Sequence, residues 1–451
     1  MAVEFVTIDR DTPYLLPPSI QDYLPDDHLA RFVVEIVDQL DLQGLLGVYA
    51  GKGKKPYHPA MLVALLFYGY ATGTFSSRKL EQASYDSIAY RYICANTQPD
   101  HDTIASFRKR FLKELEGFFV QILLVGQAMG LVKLGTVSLD GTKIKANASK
   151  HKALSWDYSN QLEAQLQAEV EELMRLAGQA DTDSVPEQMD IPEELQRREA
   201  RLAKIAEAKA EIERRAQDRF EREQADYEAK LARREEKQAR TGKQPGGQPP
   251  QPPTPGPRAK DQVSLVDEDS RIMPTKGGFD QSFNAQAGVD EASHLIVEQH
   301  ISQHPNDKQE VVPTLERLKQ LPDELGKVDK LLTDTGYFSE ANVDTCESNQ
   351  VTPFIAQGRQ GHNMPLQKRF ADDPPSPQQP SPVEAMAHRM STREGKSIYA
   401  RRKSTVETVF GIIKHVLGFR QFLLRGLESV SGEWGLVCIG WNIKRLHVLR
   451  G

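Results

Sequence analysis

The stretch Leu134-Gly135-Thr136-Val137-Ser138-Leu139-Asp140-Gly141-Thr142-Lys143 decides how this chain is read. A short β-branched and apolar run ends on a carboxylate and then a glycine, the pattern of a strand that stops at a turn and leaves the acid at the sheet edge. Working outward, the same pattern recurs where Val328, Leu331 and Leu332 lead into Thr333-Asp334-Thr335-Gly336-Tyr337. A third acid, Glu407, stands near the start of a helical segment whose apolar residues Val406, Val409, Phe410, Ile413 and Leu417 recur at helical spacing.

Three carboxylates gathered at one point make a magnesium site. Mg2+ takes hard oxygen ligands and keeps several waters, so three acids and a substrate phosphate suffice. Two such ions roughly 3.5 to 4 Å apart stabilise the attacking and departing oxygens of a phosphodiester displacement. In this reading Asp140 bridges both ions, Asp334 holds one and Glu407 the other, and no lysine or histidine base is required. Each acid also has a plainer role. Asp140-Gly141 fits an ordinary Asp-Gly turn between strands, Asp334 fits the start of the turn before Gly336, and Glu407 fits the last position of a capping box Ser404-Thr405-Val406-Glu407. Asp267, Asp269 and Asp290 are rival carboxylates, and spacing alone does not choose among them.

The chain has 451 residues, 39% hydrophobic and 27% charged, enough for a full core and two or three domains. Its three cysteines, Cys94, Cys346 and Cys438, are far apart and lack a C-x-x-C spacing, which points to a reducing compartment and no structural zinc. Residues 1–25 show no basic segment followed by an apolar one, and no later run reaches the roughly 18 apolar residues that span a bilayer. A soluble, cytosolic protein is expected, with no membrane partner. The net charge of −6 excludes a uniformly basic chain, but the charge is uneven: Tyr399 to Gly451 holds nine Lys or Arg against three Glu. A second cluster, Lys143, Lys145, Lys150 and Lys152, follows the first acid. Cations beside candidate metal carboxylates suit a polyanionic substrate, although solvated surface lysines produce similar counts.

Amphipathic stretches near 28–46, 58–72, 76–86 and 102–129 make residues 27–130 a helical domain, with caps expected at Ser76-Ser77 and Asp102-Thr103. The last of these helices carries Arg108, Lys109 and Arg110 beside Phe107 and Phe111. A helix-turn-helix presenting those bases to phosphate and a solvated helix face are equally compatible with the pattern. Between Ala153 and Pro257 the composition turns to Glu, Ala, Gln, Arg and Lys. Leu162, Leu166, Val170 and Leu173, then Leu202, Ile205, Ala208 and Ile212, mark two narrow apolar stripes. A helical hairpin or coiled-coil arm is expected there, broken at Asp181–Pro192 and ending in the Pro/Gly-rich linker Gln244–Pro253. The sheet resumes with Phe283, Ala285, Ala287 and Val289 in alternation, a turn at Asp290–Ser293 and a strand at Leu295-Ile296-Val297. Pro305–Leu321 reads as a helix, and residues 359–398 as a loop region that orders on a substrate. Trp434 and Trp441 read as core.

Three segments carry a resemblance. Val137-Ser138-Leu139-Asp140-Gly141-Thr142-Lys143, Leu332-Thr333-Asp334-Thr335-Gly336-Tyr337 and Tyr399 to Lys414 resemble the signature blocks of the DDE transposases of bacterial insertion sequences, which have an RNase H-like core. Thr103-Ile104-Ala105-Ser106-Phe107-Arg108 resembles part of their amino-terminal domain. Ser270-Arg271-Ile272-Met273, with Phe283 to Asp290, resembles their second strand and its approach. The family's last block is tyrosine, two residues, arginine, three residues, glutamate, six residues, lysine. Tyr399 and Arg402 keep the first gap and Glu407 and Lys414 the last, but four residues separate Arg402 from Glu407. If the helix already runs at position 403, Lys403, Glu407 and Lys414 fall within about 40° of one another and Arg402 points into the apolar stripe. Lys403 then takes the arginine's phosphate-facing role, whereas a helix that starts at Ser404 leaves both residues free. Lys414, roughly 10 Å along the axis from Glu407, suits a backbone phosphate. Tyr399 suits stacking on or hydrogen bonding to DNA near the cleavage point.

The resemblance implies an α/β protein. An RNase H-like mixed sheet flanked by helices (131–152 and 258–451) is interrupted by the helical arm and linker (153–257) and preceded by an extension (1–26) and a helical DNA-binding domain (27–130). It implies cut-and-paste transposition with Asp140, Asp334 and Glu407 as catalytic and metal-binding residues. It further implies two Mg2+ ions for which Mn2+ can substitute. Double-stranded DNA, both the element's terminal inverted repeats and the target, is the implied partner of a homodimer or larger complex at the bacterial nucleoid. Two alternatives stand beside it: a transposase-derived DNA-binding protein without catalysis, and a structural or adaptor protein organised by the coiled-coil arm.

Overall fold

A computed structural model describes residues 19–48, 56–179, 191–242, 244, 246–275, 277–358 and 372–451. These divide into two compact units. One takes in the chain up to Thr142, Asn284–Leu424 and Glu428–Gly451; the other takes in Lys143–Phe283 and Arg425–Leu427.

Among the described residues, eight helices precede the first strand of the first unit: α1 (Ile20–Tyr23), α2 (Leu29–Val37), α3 (Gln43–Leu46), α4 (Pro59–Thr72), α5 (Ser77–Asp86), α6 (Ile88–Ile93), α7 (His101–Arg110) and α8 (Leu112–Ala128). The apolar stretches thus break more often than their periodicity suggests. α4 is apolar all round and accordingly buried on nearly every face. Its proline at the first turn and the left-handed Gly73 after its end are ordinary start and stop signals. The cap of α7 is Asp100, whose carboxylate accepts from Thr103 N–H at 2.8 Å, so the expected Asp102-Thr103 cap lies two residues too late. Ser76 does precede α5 but makes no side-chain capping bond.

The strands are β1 (Thr136–Lys145), β2 (Ala153–Ser155), β3 (Gln262–Ser264), β4 (Arg271–Thr275), β5 (Gly278–Asp290), β6 (Ile296–Ser302), β7 (Lys330–Thr333) and β8 (Thr352–Ile355). The main sheet is mixed. Its order is β4-β5-β1-β7-β8, with β6 also paired to β5. β1, β7 and β8 run parallel, Thr136 to Ser138 standing opposite Lys330 to Leu332, while β5 and β6 are antiparallel. Parallel strands buried on both faces explain the continuous Leu331-Leu332 and Phe354-Ile355 runs. In the antiparallel pair the alternation read from Phe283 to Val289 holds, and Asp290 accepts from Ser293 N–H and Oγ in the turn that follows.

In the first unit two helices separate these strands: α11 (Val311–Lys319) follows β6, and α12 (Glu340–Ser348) follows β7. α11 starts six residues later than Pro305, which leaves residues 303–310 as an irregular loop. After β8 come α13 (Pro382–Ser391), α14 (Arg393–Gly411) and α15 (Leu427–Leu449). Residues 382–391 and 393–398, expected as part of a loop, are therefore helical, while 372–381 carry no helix or strand as expected; residues 359–371 lie outside the described residues. α15 buries Trp434 and Trp441, and Trp434 Nε1 donates to Gln286 O at 3.0 Å. Arg108, Tyr70 and Glu433 form a buried polar group in this core: Arg108 Nη1 donates to Tyr70 Oη at 3.2 Å and to Phe75 O at 2.9 Å.

In the second unit α9 (Trp156–Gln179) packs with α10 (Ile191–Thr241). Leu162 and Leu166 of one meet Ile205, Ala208 and Ile212 of the other over Leu154 of β2 and Val263 of β3. The ion pairs Arg198 to Glu169 at 2.7 Å and Lys209 to Glu163 join the two helices. The expected break at 181–192 falls mainly on residues outside those described. Residues 246–258 carry no helix or strand, as their prolines and glycines require. Asp267 and Asp269 accept from Gly426 and Leu427 N–H, which accounts for these two rival carboxylates. Among the described residues no single helix is long and apolar enough to cross a membrane.

Candidate active site

Asp140 does not end a strand. β1 continues through it to Lys145, so Asp140-Gly141 is no turn, and the acid sits inside the central strand between β5 and β7. The sheet continues because Gly141 is needed for space and not for a bend. A Cβ at 141 would stand 2.6 Å from Asp307 Oδ1 and 2.8 Å from Asn284 Oδ1, and closer still to Gln286 Nε2. Asp334 directly follows β7, whose parallel register with β1 brings it beside Asp140. Its Oδ1 accepts from Gly336 N–H at 2.7 Å, capping the 3-10 turn Thr335–Tyr337. Glu407 lies in the last third of α14, because that helix already starts at Arg393 on the Thr392 cap. The capping box at Ser404 is consequently absent, and Ser404 Oγ donates back to Arg401 O inside the helix.

Arg402 draws the first and third acids together. Its Nη1 donates to Asp140 Oδ2 at 3.3 Å and its Nη2 to Glu407 Oε1 at 2.9 Å. The side chain is 10% exposed, against 19% for Asp140 and 46% for Glu407. The prediction that Arg402 turns into an apolar stripe is corrected: it is buried, but against carboxylates, as a buried guanidinium must be. Burial pushes the Asp140 carboxyl up to about 7; Arg402 pulls it down, and the neighbouring Asp334 and Asp307 push it up again. Asp334 and Asp307 thus act on Asp140 as like charges, and Arg402, bonded to it, is the opposing cation.

The other residues of the last block fall on either side of this group. Tyr399 is half-buried and its hydroxyl donates to Thr333 O at 3.1 Å, at the end of β7 next to Asp334. Lys403 is exposed on α14. Past Glu407 the helix widens into a π-turn at Ile412–Val416, the kind of local insertion that often marks functional sites. Within this turn Lys414 Nζ donates to Thr142 Oγ1 at 2.8 Å. Thr142 lies on the same face of β1 as Asp140, two residues on, so Lys414 stands at the rim of the acid group.

Sequence reasoning missed Asp307, Asn284 and Gln286. Asp307 Oδ1 accepts from Asn284 Nδ2 at 2.7 Å and Gln286 Nε2 at 2.8 Å. Tyr337 donates to Gln286 Oε1, and its burial, with the surrounding acids, pushes its phenol well above the ordinary value. The signal available was the polar alternation Asn284, Gln286 on an otherwise buried strand; Asp307 itself was hidden by reading Pro305–Leu321 as helix. Of the amino-terminal bases, Arg108 is withdrawn as a phosphate-facing residue, since it is 5% exposed and bonded to Tyr70 and Phe75. Lys109 is exposed, and Arg110 lies over the Phe111 ring at 5.1 Å.

Among the described residues no three His, Cys, Asp or Glu side chains are grouped as a metal cage. Arg402 stands between Asp140 and Glu407, bonded to both. The donor set nonetheless fits a hard divalent cation: all its charged ligands are carboxylate oxygens, and Asn284 Oδ1 beside them is buried with no hydrogen-bond partner among the described residues.

Two family models match the chain. Residues 18–110 match the family described as Transposase domain (DUF772), and residues 375–447 match the one described as Transposase DDE domain. The second match contains Tyr399, Arg402, Glu407 and Lys414; Asp140 and Asp334 lie outside both. No curated protein and no solved structure matches the chain. The DDE match implies an RNase H-like fold, consistent with the mixed sheet. Proteins of that family generally use divalent metal ions.

Proposed function

We propose, from the premise that its two matches make the chain a DDE transposase of an insertion-element family, that it cleaves DNA at the element's ends and joins the freed 3′-hydroxyl to target DNA. The observation that carries this reading is the contact of one guanidinium, Arg402, with both Asp140 and Glu407, while Asp334 stands beside Asp140. Mg2+, or Mn2+ in its place, supplies Lewis-acid stabilisation of the attacking and leaving oxygens when bound.

The protein's own groups perform the rest. Asp140, Asp334 and Glu407 would hold the ions. Arg402 screens Asp140 and Glu407 from each other and places a cation where a substrate phosphate would need one. Lys414 at the rim and the exposed Lys403 hold backbone phosphates that fix the scissile bond. Tyr399 anchors α14 to the end of β7 and presents its ring edge to the DNA. Lys109 and Arg110 contribute phosphate contacts from the amino-terminal helices, residues 27–130 serving as the DNA-binding domain. Residues 131–152 and 258–451 form the catalytic domain, and the insertion at 153–257 assembles a dimer or larger complex across two element ends in the bacterial cytoplasm.

The test is strand cleavage on a terminal-repeat DNA with Mg2+, comparing the natural protein with Asp140→Ala. Cleavage by the natural protein and none by the variant is expected. Equal activity in both rejects Asp140 as a ligand.

A further inference from the structure

Asp307 is a fourth carboxylate of the acid group, and nothing in the three signature blocks includes it. The loop that carries it, residues 303–310, is clamped at both ends. Glu310 Oε2 bonds to His300 Nε2 at 2.9 Å, and Glu310 Oε1 accepts from Ser302 Oγ at 2.7 Å and pairs with His304 Nδ1 at 2.9 Å. His304 O accepts from Asn284 Nδ2 at 3.2 Å, tying the loop to β5 as well. This rigid mount directs Asp307 at the two glycines that follow the first two acids. Its Oδ1 stands 2.6 Å from where a Cβ of Gly141 would lie, and its Oδ2 stands 3.5 Å from where a Cβ of Gly336 would lie, a point 2.9 Å from Asp334 Oδ1. Both glycines have ordinary φ values, so space and not backbone freedom explains them. Each acid loop has been cleared of a side chain on the side that Asp307 occupies.

Two polar groups show what the mount is for. Asn284 and Gln286 both donate to Oδ1 of Asp307, and Oδ2 lies on the side of Gly336 and Asp334. Asn284 Oδ1, on a side chain that is fully buried, faces the same space without a hydrogen-bond partner among the described residues. A buried acceptor beside a carboxylate oxygen calls for a donor that the described residues do not provide. A hydrated divalent cation provides such donors, because Mg2+ keeps several of its waters.

Resting on the proposed nuclease and transferase reading, we propose that Asp307 is a positioning residue for the divalent ion held by Asp140 and Asp334. Asp307 Oδ2 and Asn284 Oδ1 accept hydrogen bonds from the ion's waters and orient them, as outer-shell carboxylates do at metal sites. The same arrangement costs stability when no ion is present, since it adds a third negative group to a shared enclosed space.

The test is titration of the full-length protein with Mn2+, read by isothermal calorimetry and by the melting temperature with Mn2+ and with EDTA. The variants are Asp307→Asn, Asn284→Leu and Asp140→Ala. Asp307→Asn keeps an oxygen for both amide donors and changes only the charge and the Oδ2 position. It is expected to weaken Mn2+ binding about 10- to 100-fold while melting in EDTA at or above the natural protein's temperature. Asn284→Leu is expected to weaken binding in the same direction. If Asp307→Asn binds Mn2+ as tightly as the natural protein, or melts lower in EDTA with the Mn2+ increment unchanged, Asp307 is merely structural and the proposal is overturned. If the natural protein binds no Mn2+, or Asp140→Ala binds it equally well, the active-site reading fails and takes this proposal with it.

Discussion

Arg402 Nη1 lies 3.3 Å from Asp140 Oδ2, joining a helix near the end of the chain to the central strand of the sheet 262 residues earlier. This contact opposes the burial that lifts the Asp140 carboxyl to about 7. Removing it lifts that carboxyl further, and an acid must be ionised to hold a cation. Arg402→Ala is expected to move the acidic limb of the cleavage-rate profile to higher pH and to lower the rate at pH 7 about ten- to a hundred-fold, in line with a charge-assisted bond of about 1.5–3 kcal/mol. Arg402→Lys should shift the limb less. Cleavage rates with Mg2+ from pH 6 to 9 check both.

Asp140 also makes metal-free stability depend on pH. Its folded value of about 7 exceeds the ordinary 3.8, so between these limits the folded state binds more protons than the unfolded one. Stability from this group is therefore fully present below pH 3.8 and is lost as pH rises to about 7. His300, raised to about 9, and Glu310, lowered to about 2, add their own slopes. The difference between the natural protein and Asp140→Asn isolates the term: melts in EDTA should show Asp140→Asn gaining on the natural protein as pH rises from 4 to 7. A constant gap across that range contradicts it.

The three consecutive bases at the end of α7 should separate cleanly. Arg108 faces Tyr70 in the core, and its removal takes from the buried Glu433 carboxylate its nearby cation, leaving only the neutral donors Tyr70, Leu423 and Leu424. Arg108→Met is expected to cost about 3–5 kcal/mol of stability, read by urea denaturation. Lys109→Ala should leave stability unchanged, weaken DNA binding across all sequences and reduce the slope of log K against log salt by about 1.

Gly141→Ala places a methyl group against Asn284 and Asp307 in a fully occupied region. Overpacking of this kind costs about 1–3 kcal/mol, and because the displaced groups border the acids, Mg2+-dependent cleavage should fall more than stability does. Gly117→Ala, where a Cβ meets nothing within 4 Å, serves as the control.

Much of this was legible in the residues. The runs ending at Asp140 and Asp334 read as strands because parallel strands buried on both faces are continuously apolar, and the 283–289 alternation read as the antiparallel β5. The boundaries were less legible where tertiary contacts decide them. β1 continues through Asp140-Gly141, which local rules read as a turn, because the glycine admits a distant loop. α14 starts at Arg393 and not at Ser404, because the Thr392 cap and packing on α13 outweigh the local capping-box pattern. The charge of Arg402 suggested a place in solvent or an unfavourable one in apolar surroundings, whereas its partners came from residues 140 and 407. Asp307 was invisible because it acts through a loop whose shape depends on Glu310 and His300.

The central claim is that a divalent ion sits among Asp140, Asp334 and Glu407, and localised oxidative cleavage measures this most directly. Fe2+ replaces Mg2+ in the protein bound to element-end DNA, ascorbate and peroxide generate radicals at the ion, and the cut sites in the polypeptide are mapped. The account predicts cuts clustered near residues 140, 334 and 407, suppressed by excess Mg2+ and absent in Asp140→Ala. Cuts elsewhere, or a pattern that Asp140→Ala leaves intact, would contradict it.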